Sequence, residues 1–93
     1  MEEGYLKFFN RASEIYSGSG GHSRLLIAIN SEELRGGLKG RKYEIARNVL
    51  LDFFNDKNTK GNNRVFGISG YIEYLVRKCE EKEEILNTAL QST

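Results

Sequence analysis

The sequence predicts a mainly α-helical fold: one small domain, residues 1–93, built as a bundle of three to four helices. Three stretches place apolar residues at the i, i+3, i+4, i+7 spacing of an amphipathic helix. Glycine, serine and asparagine cluster between these stretches, as expected for turns. A domain of 93 residues buries only roughly 60–65% of its unfolded surface, so a partner or a second copy would add stability.

The first predicted helix covers residues 2–16. Its apolar residues fall within an arc of about 120° and are Tyr5, Phe8, Phe9, Ala12, Ile15 and Tyr16. The loop that follows, Ser17–Ser23, is rich in glycine but does not match a phosphate-binding loop. Such a loop needs a strand before it and a Lys-Ser/Thr pair after its last glycine, whereas here a helix precedes and His22-Ser23 follows.

Residues 24–35 allow two interpretations. The apolar run Leu25–Ile29 fits a buried strand and a buried helix equally well. Ser23 could cap a helix that continues to about Arg35 and ends at Gly36. Alternatively, residues 24–29 form a short strand in an α+β fold, with Ser31 starting a short helix. That strand would need Arg64–Ile68 as its partner, and Gly67 weakens this segment. The helix is favoured.

The most apolar predicted helix covers residues 41–55. Its apolar residues span about half of the helix circumference, with Leu51 outside the arc. We therefore expect it to contact neighbours on two flanks and to be the central helix of the fold. A last helix is predicted from Ser69, as N-cap, to about Leu90. Its apolar seam fades at Lys82, which predicts a second half that projects from the core and leaves self-association open.

A basic, glycine-containing hinge precedes the helix at 41–55. Between residues 24 and 64 there are nine Lys or Arg residues against five acids, although the whole chain has a net charge of only +1. Helix N-termini favour anions, and clustered cations reinforce that preference. The candidate phosphate or nucleic-acid site consists of Arg35, Lys39, Arg41, Lys42, Arg47, Lys60 and Arg64.

Catalytic and metal chemistry find little support in the sequence. With one histidine, His22, and one cysteine, Cys79, the chain has no obvious zinc ligand set and no internal disulfide. We expect no enzyme activity, no cofactor and no catalytic residue. The N-terminal residues lack the pattern of a signal peptide, and no apolar run is long enough to span a membrane. The expected location is cytoplasmic, without a membrane partner.

Two functions remain as hypotheses. The first is a small regulatory or inhibitory module that binds another protein, as its apolar and aromatic content suggests; small phage and mobile-element proteins often have this profile. The second is binding of nucleic acid or another phosphate ligand through the hinge at 35–47, which would depend strongly on salt. A homodimer is compatible with either function.

Overall fold

The protein is a bundle of helices in the computed structural model, which describes residues 3–35, 38–55 and 68–91. The helices are α1 (Glu3–Ser17), α2 (Gly21–Ala28), α3 (Glu32–Arg35), α4 (Gly40–Asn55) and α5 (Ile72–Gln91). A single 3₁₀ turn, Ser69–Tyr71, leads into α5. No strand occurs in these three ranges, and the prediction of a mainly helical bundle is confirmed.

Helix α1 is the element on which the rest of the bundle packs. It contacts α2, α3, α4, α5 and the 3₁₀ turn. Its apolar arc packs against the core as predicted, with Tyr5, Phe9 and Ala12 fully inaccessible to solvent and with Ile15 and Tyr16 partly buried. The segment at 41–55 does contact neighbours on two flanks, α1 and α5, but the most widely connected helix is α1. The reason is that α2 and α3 fold back across the short loop after Ser17 and cover α1.

Helices α1 and α4 run parallel to each other, and α5 runs antiparallel to both. Aromatic contacts between α1 and α4 show the parallel order, with Phe8 next to Tyr43 near the start and Tyr16 stacked on Phe54 near the end. At the end of α4, Phe53 meets Tyr71 just before α5 begins. The start of α4 therefore lies beside the middle of α5.

The segment at 24–29 is helical, so the strand alternative is wrong. The helix does not run on to Arg35, however, because α2 ends at Ala28 and α3 is separate. Both the amide nitrogen and the hydroxyl of Ser31 donate to the carbonyl oxygen of Ala28, at 2.9 and 2.7 Å. A side chain that bonds its own backbone in this way competes with continuation of the helix.

The sequence suggests Ser23 as the cap of α2, but Ser23 lies inside this helix and does not cap it. The N-cap is Gly20, in the left-handed conformation with φ 68°, and no side chain caps the helix. Gly21 begins α2 against the last turn of α1, where a Cβ atom would lie only 1.7 Å from the carbonyl oxygen of Tyr16. A side chain at position 21 would prevent this close approach of the two helices.

Helix α4 buries the wide apolar face that the sequence predicts. The buried residues are Tyr43, Ile45, Ala46, Val49, Leu50, Phe53 and Phe54. Leu51 is only partly buried, as expected from its place outside the apolar arc. The helix starts at Gly40, whose φ of +53° is unfavourable for any residue with a Cβ atom.

Helix α5 starts later than predicted, because Ser69 lies inside the 3₁₀ turn and does not cap the helix. The turn is closed by a hydrogen bond from the Tyr71 amide to the carbonyl oxygen of buried Ile68. Leu75, Val76 and Cys79 pack in the core. Every residue of α5 from Glu84 to Gln91 is exposed, in agreement with the predicted projection. We call residues 84–91 the α5 arm.

Candidate functional site

The structure describes five of the candidate site residues, namely Arg35, Lys39, Arg41, Lys42 and Arg47. Three of these five side chains form contacts between helices. The guanidinium of Arg35 lies 4.2 Å from the ring centre of Tyr43, whose hydroxyl donates to the carbonyl oxygen of Ile29. Arg47 donates from Nε and Nη2 to Oδ1 of Asn30, at 3.3 and 3.0 Å. These contacts fasten α4 to α3 and to the turn after α2.

The third of these cations, Lys42, joins α4 to α5. Its Nζ atom lies 3.7 Å from Oε1 of Glu83 and 5.7 Å from the ring centre of Tyr5. The Tyr5 hydroxyl donates to Oε2 of the same carboxylate at 2.8 Å. Glu83 therefore links the first turns of α1 and α4 to the middle of α5, and it marks the point beyond which the α5 arm begins.

The remaining described cations of the hinge, Lys39 and Arg41, are exposed on either side of Gly40. Neither forms an ion pair with an acid in the described part of the chain. The glycines at 36 and 37 and the cations Lys60 and Arg64 lie outside the described residues, as does most of the proposed partner strand at 64–68. The structure thus leaves Lys39 and Arg41 exposed at the start of α4, and it pairs Arg35, Lys42 and Arg47 with groups on other elements.

A groove between α4 and α5 was not predicted from the sequence. It encloses about 240 Å³ and is lined by Val49, Asp52, Phe53, Tyr74, Leu75, Lys78 and Lys82. Its floor is apolar, and two lysines lie at its rim. The Nζ atom of Lys82 lies 3.5 Å from Oδ2 of Asp52, and the Nζ atom of Lys78 lies 5.7 Å from the ring centre of Tyr74. The exposed aromatic ring of Tyr74, outside the apolar seam of its helix, was the signal in the sequence that could have indicated it.

The α5 arm continues from this groove and has no charged residue after Glu84. Ile85 is 67% exposed and Leu86 is 40% exposed. The seven residues from Ile85 to Gln91 contain no charged side chain, in a chain of which 29% of the residues are charged. We refer to the groove and the α5 arm together as the α5 surface.

A smaller apolar patch lies on α2. Leu26 and Ile27 are exposed there, while Leu25 is fully buried against the bundle. The run Leu25–Ile29 places apolar residues on every side of the helix. Because only one side of α2 packs against the bundle, the apolar residues on its other side remain in solvent. Scattered residues of this kind are common on soluble proteins, so the patch indicates less than the α5 surface does.

The described residues bear on metal binding and on thiol chemistry, and Cys79 is the thiol among them. They contain no cluster of three or more His, Cys, Asp or Glu residues that could hold a metal ion. Cys79 is buried, and desolvation raises the pKa of its thiol from 9.0 to about 12, against a smaller lowering by Lys82. A thiol with so high a pKa is a poor nucleophile near neutral pH.

Comparisons of the chain with protein-family profiles, with curated proteins and with solved structures found no match. Among the helices in the described ranges, none combines the length and apolar character needed to cross a membrane.

Proposed function

We propose that this chain is a non-enzymatic protein-binding module, regulatory or inhibitory in action, that binds its partner through the α5 surface. The observation that carries the proposal is the exposure of Ile85 and Leu86 on a helix that extends past the starts of α1 and α4. The cytoplasm is the proposed location, on the sequence arguments given above.

The energetics of apolar exposure support this proposal. Burial of an isoleucine or leucine side chain contributes about 1.5–3 kcal/mol, and here Ile85 remains largely in solvent and Leu86 remains partly exposed. Helices with an apolar stripe commonly bind in a groove of a partner or offer a groove to a partner helix. The α5 surface has both features, an arm with exposed apolar side chains and a groove between α4 and α5 with an apolar floor.

Photo-crosslinking tests the proposal without knowledge of the partner. A photoreactive phenylalanine analogue replaces Ile85 in one variant and Ile27 in a matched control, since both positions are exposed isoleucines on helices. We expect covalent adducts with a protein, resolved by mass, from position 85 in the native cells and few or none from position 27. Absence of adducts from position 85, or equal adducts from both positions, would contradict the proposal.

A second candidate function is binding of nucleic acid or another phosphate ligand, supported by the position of Lys39 and Arg41. Both are exposed and flank the first residue of α4, where free backbone amides and the helix dipole favour an anion. Because Arg35, Lys42 and Arg47 have partners within the fold, this candidate has fewer available cations than the sequence suggests.

Fluorescence anisotropy with short single- and double-stranded DNA and RNA tests this second candidate. If it is correct, binding at about 50 mM salt falls steeply at about 200 mM, because phosphate contacts release counterions. The double variant Lys39→Glu/Arg41→Glu should then lose binding, whereas Lys7→Glu/Arg11→Glu on α1, with the same change in charge, should retain most of it. No binding at the lower salt would eliminate nucleic acid as a ligand.

A further inference from the structure

We propose that the α5 surface binds a second copy of this chain, in a closed antiparallel dimer in which each α5 arm lies in the groove of the other copy. The inference rests on the proposed function, because it names the partner of the same surface. Its basis is that the α5 arm and the groove lie on the same side of α5. The arm of one copy can therefore lie in the groove of another copy.

The groove and the arm lie on the same side of α5. Lys78 and Lys82 line the groove, and Ile85 follows them by seven and three residues. Residues separated by three, four or seven positions share one helix face, and Ala89 extends the row. A second helix that lies along this face meets the groove first and the arm next.

An antiparallel register matches these two features to each other. With the twofold axis at the level of residue 80, Ile85 of one copy lies at the level of Tyr74 and Leu75 of the other. Ile85 then faces the lining of the groove, whose floor also includes Val49 and Phe53. A space of about 240 Å³ accommodates aliphatic side chains of this size, and the twofold operation places both arms identically.

The charges on the groove side of α5 have both signs. Each copy contributes the cations Lys78 and Lys82 and the anions Glu81 and Asp52 there. Glu81 of one copy lies beside Lys78 of the other, because these two residues share one helix face and lie on either side of the axis.

The size of the interface explains why the groove has to take part. Eight residues of helix are about 12 Å long, which is too short for an interface near the roughly 1,000 Å² that a specific complex buries. The row from residue 74 to residue 91 is about 27 Å long. Contact along the whole row, together with the part of α4 that lines the groove, brings the buried area into the required range.

Sedimentation equilibrium tests the dimer directly. We expect a mass near twice the 10.6 kDa of the chain at micromolar concentration. Ile85→Glu should raise the dissociation constant at least about 30-fold, the effect of a central interface residue. Ile27→Glu is the matched control and should leave it within about threefold, an effect too small for an interface hot spot. A monomer at all concentrations up to about 500 μM, the weak limit for a specific complex, would overturn the inference.

Cysteine crosslinking tests the register. In the proposed dimer the two copies of residue 81 are near the axis, whereas the two copies of residue 89 are about 27 Å apart along the helix. A short bismaleimide should therefore link Glu81→Cys to its copy and leave Ala89→Cys unlinked. Stronger linkage through position 89 would indicate parallel helices and overturn the proposal. The buried Cys79 thiol contributes little background, because its pKa is raised to about 12.

The photo-crosslinking experiment separates failure of this inference from failure of the proposed function. Adducts from position 85 with twice the mass of the chain support the dimer. Adducts of any other mass, with the purified chain monomeric, overturn the dimer and leave the protein-binding proposal standing. Absence of adducts from position 85 overturns both.

Discussion

Two glycines determine how α2 and α4 can begin, and they do so for different physical reasons. At Gly21 the backbone conformation is ordinary, but an added Cβ atom would lie 1.7 Å from the carbonyl oxygen of Tyr16. At Gly40 the space is open, but φ is +53°. A clash with backbone cannot be relieved by moving a side chain, whereas a left-handed alanine costs about 1–2 kcal/mol.

We therefore predict that Gly21→Ala lowers the free energy of unfolding by about 2–3 kcal/mol and Gly40→Ala by about 1 kcal/mol. Gly18→Ala is the control, because its closest contact is the mobile end of the Arg24 side chain at 3.3 Å. Its effect should stay within about 0.5 kcal/mol. Urea denaturation measures all three. A larger loss for Gly40→Ala than for Gly21→Ala would show that α1 and α2 are not in close contact.

Burial should protect the thiol of Cys79 and make stability depend on pH. Desolvation raises its pKa from 9.0 to about 12, so the unfolded chain releases this proton at lower pH than the folded chain does. The protonated thiol of Cys79 therefore contributes to the free energy of unfolding. This contribution is complete below pH 9 and is lost as pH rises from 9 to 12.

At pH 8 we predict that the native chain reacts with a colorimetric disulfide reagent at least about 100-fold more slowly than the chain in urea, because its thiolate fraction is so much smaller. Between pH 9 and 12 the wild type should also lose stability relative to a Cys79→Ala variant. Equal reaction rates for the folded and unfolded chain would place Cys79 at the surface.

At the level of single residues, the sequence predicted the burial of apolar side chains but not the contacts of cationic ones. The burial of Tyr5, Phe8 and Phe9 follows from their spacing. The contacts of Arg35, Lys42 and Arg47 could not be predicted, because a cation at the start of a helix can face solvent or a neighbouring element equally well. Tertiary packing decides between these positions, and the local sequence contains no information on it.

At the scale of elements, α4 provides the clearest test of the core. Leu50 is fully buried, and its neighbour Leu51 is only partly buried. Leu50→Ala should lower the free energy of unfolding by roughly 2–5 kcal/mol, because it leaves a cavity in the core. Leu51→Ala should cost clearly less. Thermal or urea denaturation measures both, and a change below about 0.5 kcal/mol for Leu50→Ala would show that its side chain lies outside the core.

Helix periodicity predicted α1, α4 and α5 well because each has one wide apolar face and long stretches without breaks. It failed at helix ends. Ser23 and Ser69 are residue types that favour N-caps, yet α2 is capped by Gly20 and Ser69 lies within a 3₁₀ turn. In both places the chain must also turn onto α1, and this tertiary requirement outweighs a local preference worth about 1 kcal/mol.

For the whole molecule, folding and association should be separable, because the α5 arm contributes little to the core. Removal of residues 85–93 should change the free energy of unfolding of the monomer by less than about 1 kcal/mol, as is usual for exposed positions. The melting temperature of the full chain should rise with protein concentration, since dimerisation stabilises the folded state. The shortened chain should show no such rise, and scanning calorimetry at several concentrations measures the difference.

The link between Tyr5 and Glu83 has a consequence for how the chain is made. These residues are 78 positions apart in sequence, and their hydrogen bond joins the first helix to the last. While the ribosome is still adding α5, the aromatic face of α1 lacks one of its main packing partners. The bundle therefore completes its core only after Leu75, Val76 and Cys79 have been added, and until then the nascent chain exposes apolar surface that favours aggregation.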